Sequence, residues 1–513
     1  MNGAESLVRT LIAAGIDTCF ANPGTSEMHF VAALDRVEGL RCVLGLAETV
    51  VTGCADGYAR MAGRPAATLL HCGPGFANGI ASLHNARRAN AQIVNIVGDQ
   101  ATYHRPWDAA LTADTEGLAR AVSHWVRTSA AARDVASDAA VAVQAAATPP
   151  GCIATLILPA DTAWNEGAAP AQPLKPPGPT PVAPHIVDTV AALLGARPRA
   201  VILLSGAALS EPGLRAAQRI VDATGARLLA PMQVARIARG RGRPPVDRLP
   251  FSLDRGLELL AGTEHLVLCG AKPPVGFFAY PGKPNTLWPK EATLHVLARP
   301  EQDLVAALES LADAIGAARE PAIRDVPAPI AATGRFTQEG FGATLAALMP
   351  DNAIVAEDSV TSGRGLFPLT YGAAPHDWMQ ITGGAIGCAF PLATGAAVAC
   401  PDRKVICLQA DGGGMYTLQS LWTQARERLD VVNVVFANRT YAVLRGELAA
   451  VGAAPGRAST ELFDIGRPNL DWVSLARGMG VEGARADTLE AFGDLFTSAC
   501  ARRGPFLIEL MVP

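Results

Sequence analysis

Short runs of β-branched and aliphatic residues alternate along the chain with longer Ala- and Leu-rich stretches whose apolar positions recur at helical spacing. TCFA, QIVNIVGD, AVILLSG, RLLAP, HLVLCG, AIVAED, VICLQA and VVNVVF read as strands, and LIELMVP as a last strand at the end of the sequence. Two stretches interrupt this rhythm. GAAPAQPLKPPGPTPVAP, between Glu166 and His185, and EPAIRDVPAPIAATGR, between Arg319 and Phe336, are rich in Pro and Ala and propagate neither a helix nor a sheet ladder. The pattern predicts an α/β protein of three open, mostly parallel-sheet domains, over residues 1–165, 185–318 and 336–513.

Composition narrows the class. At 513 residues, half of them apolar and 18% charged, the chain can bury several cores and an interface. A formal charge of −4 gives no electrostatic reason for a nucleic-acid or anionic-membrane partner. No apolar run approaches the ~18 residues of a membrane span. The N-terminal MNGAESLVRTLIAAG has a helical pattern carrying Glu5 and Arg9, unlike a signal peptide, so a cytoplasmic location is expected. Ten cysteines without a C-x-x-C pair read as small buried thiols, not as a disulfide framework or zinc site.

Candidate chemistry concentrates between Gln409 and Leu444. The strand VICLQA delivers Asp411 to its end, Gly412, Gly413 and Gly414 follow without side chains, and an amphipathic helix comes next. Such a turn lets backbone N–H groups meet a phosphate. The strand VVNVVF then leads to Asn438, 27 positions after Asp411, with Thr440 close behind. In a parallel sheet both side chains emerge at one carboxyl edge, and a carboxylate, an amide oxygen and a loop carbonyl suit Mg²⁺. The bland alternative is an ordinary nucleotide-type βα turn.

Asp-Gly followed by a distant Asn resembles the thiamin diphosphate (ThDP) signature, with Ala410 where that family usually has Gly. The resemblance implies that Asp411, Asn438 and the Thr440 carbonyl hold Mg²⁺ while Gly412 and Gly413 lie against the cofactor. Near the other end of the chain, an isolated Glu48 and then ADGYAR are similar to the pyrimidine-binding domain of the pyruvate decarboxylase, acetolactate synthase and benzoylformate decarboxylase group. By that resemblance Glu48 activates the cofactor through its aminopyrimidine, giving a C2 ylid and later an enamine. Read alone, Glu48 is a carboxylate at a helix N-terminus.

Other residues follow from the same likeness. Thr25 lies where the family contacts the cofactor, although it or Ser26 can equally be a helix N-cap. His71 matches a proton-shuttling histidine, the alternative being a structural histidine beneath the glycine loop. Ile386 would wedge under the cofactor, with Gly383 and Gly384 allowing close backbone approach. Gln100, His104 and Trp107 either line a substrate pocket or anchor their loop. Phe277, Phe278 and Tyr280 stand where benzoylformate decarboxylase relatives have a second active-site histidine, which makes Phe278 a substrate-contact candidate and turns the expected product away from simple aldehyde.

The middle segment lacks the arginine–aspartate constellation of FAD-binding relatives, which argues against FAD. Its arginine-rich ARIARGRGRPPVDR reads as a solvated loop, or alternatively as an anion site at an interface. The implied activity is ThDP- and Mg²⁺-dependent decarboxylation of a small-molecule 2-oxo acid with carboligation to a second carbonyl acceptor, acetolactate synthase-like. The alternatives are aldehyde-forming decarboxylation, cleavage of a 2-hydroxy ketone or acyl compound, and a non-catalytic regulatory role. The family pairs the pyrimidine domain of one subunit with the diphosphate domain of another, implying a homodimer or homotetramer.

Overall fold

The computed structural model describes residues 1–323 and 326–513; Arg324 and Asp325, in the second Pro-rich stretch, lie outside the described residues. Three sheets carry the chain. In the first, β1–β6 are Thr18–Ala21, Arg41–Leu44, Ala66–Leu70, Ile93–Asp99, Trp125–Thr128 and Ile153–Pro159, in the order β2-β1-β3-β4-β6-β5 and wholly parallel. Strands β7 (Ala200–Leu204), β8 (Arg227–Ala230), β10 (Asp247–Arg248), β11 (His265–Cys269) and β12 (Thr293–Ala298) form a second parallel sheet ordered β10-β8-β7-β11-β12.

The third sheet contains β13 (Ala353–Asp358), β14 (His376–Gln380), β15 (Val405–Ala410), β16 (Val431–Ala437), β17 (Glu482–Ala486) and β18 (Phe506–Met511). Its order is β17-β18-β16-β15-β13-β14-β9, and β9 (Ile237–Arg239) pairs with β14 antiparallel. Strand β9 corrects the expectation of a solvated arginine loop. Arg239 is 3% exposed, its guanidinium carbon 3.4 Å from the centre of the Phe367 ring, and Arg248 stands 4.1 Å from the same ring. Burial against aromatic faces, which attract cations, holds both arginines inside, and burial pushes the Arg239 guanidinium down to about 9.

The first and third sheets are joined through helices. The helices Glu48–Ala62 and Ala389–Ala399 cross at glycine: a Cβ on Gly57 would collide with the Leu392 carbonyl, and one on Gly395 with the Cys54 carbonyl. Arg60, the last residue of ADGYAR, locks this contact. It chelates Asp56 (2.7 and 2.5 Å) and donates to the carbonyls of Gln380 (2.7 Å) and Ala235 (3.2 Å) and to Thr382 Oγ1 (3.0 Å). Thus ADGYAR, the motif similar to the pyrimidine-binding domain, acts here as a clamp at the base of the Thr382–Cys388 loop. Among the described residues no helix is long and apolar enough to cross a membrane.

Candidate active site

The third sheet brings Asp411, Asn438 and Thr440 together. Strands β15 and β16 are adjacent and parallel, with Ala410 opposite Phe436, so both chains leave the same carboxyl edge. Asp411 opens a four-residue helix, Asp411–Gly414, that takes up the glycines; the longer helix starts only at Ser420. Asp411 Oδ1 accepts from the Gly412 N–H (2.8 Å) and Oδ2 from the Arg439 N–H (2.6 Å). Asn438 Oδ1 accepts from the Thr440 N–H (3.1 Å), and the Thr440 hydroxyl donates to the Phe463 carbonyl (2.9 Å). Burial raises the Asp411 carboxyl above the ordinary range, with backbone N–H donors from Arg439 and Gly412 pulling it back.

Asp358 closes β13 beside β15, at the acidic and hydroxyl-bearing strand end AIVAEDSVTSG, of the sort that meets a cofactor at a sheet edge. Its Oδ2 accepts from the N–H groups of Gly387 (2.5 Å) and Cys388 (3.1 Å) and from Gln409 Nε2 (3.2 Å), while Oδ1 is buried with no donor among the described residues. Burial pushes this carboxyl up to about 7. The side chain ties the loop of half-buried Ile386 to the strand that carries Asp411. Gly384 in that loop has φ +82, a left-handed conformation that favours glycine, and space for a Cβ would end 3.3 Å from Phe277 Cζ. Phe277, not Phe278, therefore reaches the loop. Phe278 stands edge-on to Phe277 at 4.7 Å and is 54% exposed, and Tyr280 donates to Glu447 Oε2 (2.8 Å).

The first sheet assembles a second cluster. Glu48 is the first residue of the Glu48–Ala62 helix, where the positive end of the helix dipole favours a carboxylate; its Oε2 accepts from Asn78 Nδ2 at 2.6 Å. His71 precedes the helix Cys72–Arg88. Gly75 separates the two: the place a Cβ would occupy lies 2.8 Å from Glu48 Oε1 and 3.3 Å from His71 Cβ. His71 Nδ1 is 2.9 Å from Glu27 Oε2 and 3.2 Å from Ser26 Oγ. Thr25 and Ser26 lie within the short helix Thr25–Glu27, whose N-cap is Gly24, so neither is the cap; Thr25 is exposed. Gln100 is half-buried, and His104 and Trp107 are exposed on the loop after β4.

These two clusters do not meet within one chain. The Ile386 loop is gripped by Asn85, whose Oδ1 accepts from Gly383 N (3.0 Å) and Ala385 N (3.1 Å) and whose Nδ2 donates to the Ala385 carbonyl (2.8 Å). Asn85 and His71 lie near opposite ends of the Cys72–Arg88 helix, about 20 Å apart at the rise of an α-helix. A cleft of about 700 Å³ between that helix and the second sheet is lined by His84, Arg87, Arg88 and Lys272, and reaches the edge of the Ile386 loop at Thr382 and Phe277. It contains neither Glu48 nor Asp411.

Comparison with known proteins gives the family. Residues 1–121 match the thiamine pyrophosphate enzyme N-terminal TPP binding domain, and residues 368–510 the C-terminal TPP binding domain. The chain is 49% identical, over its full length and 99% of the relative, to a Mycobacterium tuberculosis protein provisionally named acetolactate synthase large subunit IlvX. It is 30% identical to benzoylformate decarboxylase of Pseudomonas aeruginosa, over 97% of this chain and 96% of the relative. The fold is shared with the ThDP-dependent 4-hydroxybenzoylformate decarboxylase of Rhodococcus jostii, with a TM-score of 0.86, 24% identity and coverage of 99% and 98%. The chain belongs to the thiamine pyrophosphate enzymes and is a ThDP-dependent enzyme related to acetolactate synthase and benzoylformate decarboxylase.

Proposed function

We propose that the protein uses ThDP and Mg²⁺ to decarboxylate a 2-oxo acid and joins the remaining fragment to a second carbonyl compound, in the manner of acetolactate synthases. The observation that carries this reading is the oxygen set of Asp411, Asn438 and Thr440 beside Gly412 and Gly413. Asp411 is 3% exposed, and among the described residues no basic side chain forms an ion pair with it. A buried carboxylate at one strand end, with an amide oxygen and a loop carbonyl at the end of the neighbouring strand, fits a hard divalent cation, which would leave positions for diphosphate oxygens.

Bound there, ThDP would supply a nucleophilic carbon and a sink for the electron pair released with CO₂. Glu48 would hold a proton at the aminopyrimidine, and His71 would move one at the reacting carbon. Thr25 would contact the cofactor, and Ile386 and Gly384 would support it from below. Gln100, His104 and Phe278 remain candidates for substrate contact. Because the Glu48 and Asp411 clusters lie apart in one chain, we assign the complete site to two copies, each offering its Glu48 face to the other's Asp411 face. Apolar side chains exposed on both support that pairing: Leu46, Tyr103 and Trp107 on the first, Met415, Tyr416 and Leu462 on the second.

Carboligation is favoured by Phe277, an apolar ring rather than a proton donor, against Gly384. Aldehyde release is the second reading, favoured by the end-to-end relation to a benzoylformate decarboxylase. Proton NMR of products decides between them. Protein with ThDP and Mg²⁺ is given pyruvate, a branched 2-oxo acid or benzoylformate, with and without an aldehyde. New 2-hydroxy ketone or 2-hydroxy-2-alkyl acid signals establish the carboligase, and aldehyde alone establishes the decarboxylase. No consumption of any 2-oxo acid by ThDP-loaded protein overturns both.

A further inference from the structure

We propose that Glu27 is the positioning residue of His71, fixing its imidazole in the tautomer that carries the proton on Nδ1 and leaves Nε2 free for the reaction. The inference rests on the reading of His71 as the proton-transfer residue and adds to it a group outside the family signature. Glu27 is 1% exposed and its carboxylate is surrounded by donors. Oε2 accepts from the Gly24 N–H (2.7 Å) and faces His71 Nδ1 (2.9 Å), and Oε1 accepts from Ser26 Oγ (2.5 Å).

An ionised carboxylate only accepts, so the nitrogen facing it must bear hydrogen, and Nε2 is left as the atom that gains or loses a proton. The backbone makes room for this pair at two glycines. A side chain on Gly98, in β4, would collide with Glu27 Oε1, and one on Gly24 would collide with the imidazole ring of His71. A glutamate that merely closed the turn at Gly24 would account for the first hydrogen bond but not for the imidazole beside it. Among the described residues no lysine or arginine pairs with Glu27, and the titratable side chain its carboxylate meets is the His71 imidazole.

The other titratable groups facing His71 are few. Glu48 lies across Gly75. Cys72 Sγ is 3.1 Å from Ser26 Oγ, and burial pushes its thiol up to about 11, which keeps it neutral. Asp99 is taken by Arg105 at 2.6 Å. None of these contacts Nδ1, so the tautomer is set by Glu27, with the Ser26 hydroxyl alongside.

The direct test is ¹⁵N NMR of histidine-labelled protein without cofactor, with the His71 signals assigned by their loss in His71→Gln. The wild type should show a single tautomer protonated at Nδ1. In Glu27→Gln, whose amide both donates and accepts, the signals should change to a mixture, with kcat falling on the order of 10²-fold while KM and ThDP affinity stay within about twofold. A wild-type His71 protonated at Nε2 overturns the inference without any variant, even if Glu27→Gln does not fold. An impaired His71→Gln beside a fully active Glu27→Gln overturns the inference alone. If His71→Gln turns over like the wild type, the proton-transfer reading falls and takes this inference with it.

Discussion

Arg60→Met should uncouple the two ThDP-binding segments. In the native protein the guanidinium and the Asp56 carboxylate are each only 2% exposed in their side chains, and Arg60 makes three further hydrogen bonds to Gln380, Ala235 and Thr382. Breaking a buried pair by removing one partner costs about 3–5 kcal/mol, because the remaining charge stays in low dielectric. The orphaned Gln380 carbonyl adds about 1 kcal/mol. At about 2–4 °C per kcal/mol for segments of this size, the thermal midpoint should fall by roughly 10–20 °C. The sign with pH also follows. Burial already raises the Asp56 carboxyl, with Arg60 opposing it, so losing Arg60 raises it further. A carboxyl whose folded pKa exceeds its unfolded one destabilises when ionised, so the deficit is largest at high pH and shrinks as pH falls through the folded value. Calorimetry from about pH 8 to about pH 5 on wild type, Arg60→Met and Asp56→Leu/Arg60→Met reads this out; the apolar double variant should recover at least half of the loss. A midpoint within about 3 °C of wild type for Arg60→Met, or a double variant no more stable than the single, would refute the reasoning.

Two further outcomes concern the site. Asp411→Asn should keep the fold but weaken Mg²⁺-dependent ThDP binding by at least tenfold in calorimetric titration, since the amide replaces the only carboxylate in the proposed oxygen set; unchanged affinity would remove Asp411 from the metal. Phe277→His, placing a proton donor beside Gly384, should raise the aldehyde fraction in the NMR product assay at the expense of ligated product, and an unchanged ratio would separate Phe277 from product fate.

The sequence was most informative where spacing alone implies proximity. Asp411 and Asn438 close two successive apolar strands, and parallel neighbours deliver their ends to one edge, so 27 residues of sequence suffice to bring them together. Glu27 escaped because its contact with His71 spans 44 residues and depends on two glycines that leave room for it. The available signal was Glu27 three residues after Gly24, where a capping carboxylate reaches back to a free N–H. The acidic strand end that carries Asp358 was legible, but its partners were not, because Gly387, Cys388 and Gln409 come from two other strand–loop junctions. Phe277 and Phe278 are adjacent and chemically identical, and only the backbone path decides which ring faces Gly384. The arginines around β9 misled because charge density favours solvent in the absence of aromatic partners, and Phe367 lies more than a hundred residues away.

The most direct test of the central claim is the exchange of the thiazolium C2 proton of ThDP bound with Mg²⁺, followed by quenched-flow proton NMR. With Glu48 as activator, wild type should exchange that proton faster than free ThDP by on the order of 10²–10⁴-fold, and Glu48→Gln should return the rate towards the free value while still binding the cofactor. Equal rates in wild type and Glu48→Gln, with ThDP bound to both, would contradict the assignment.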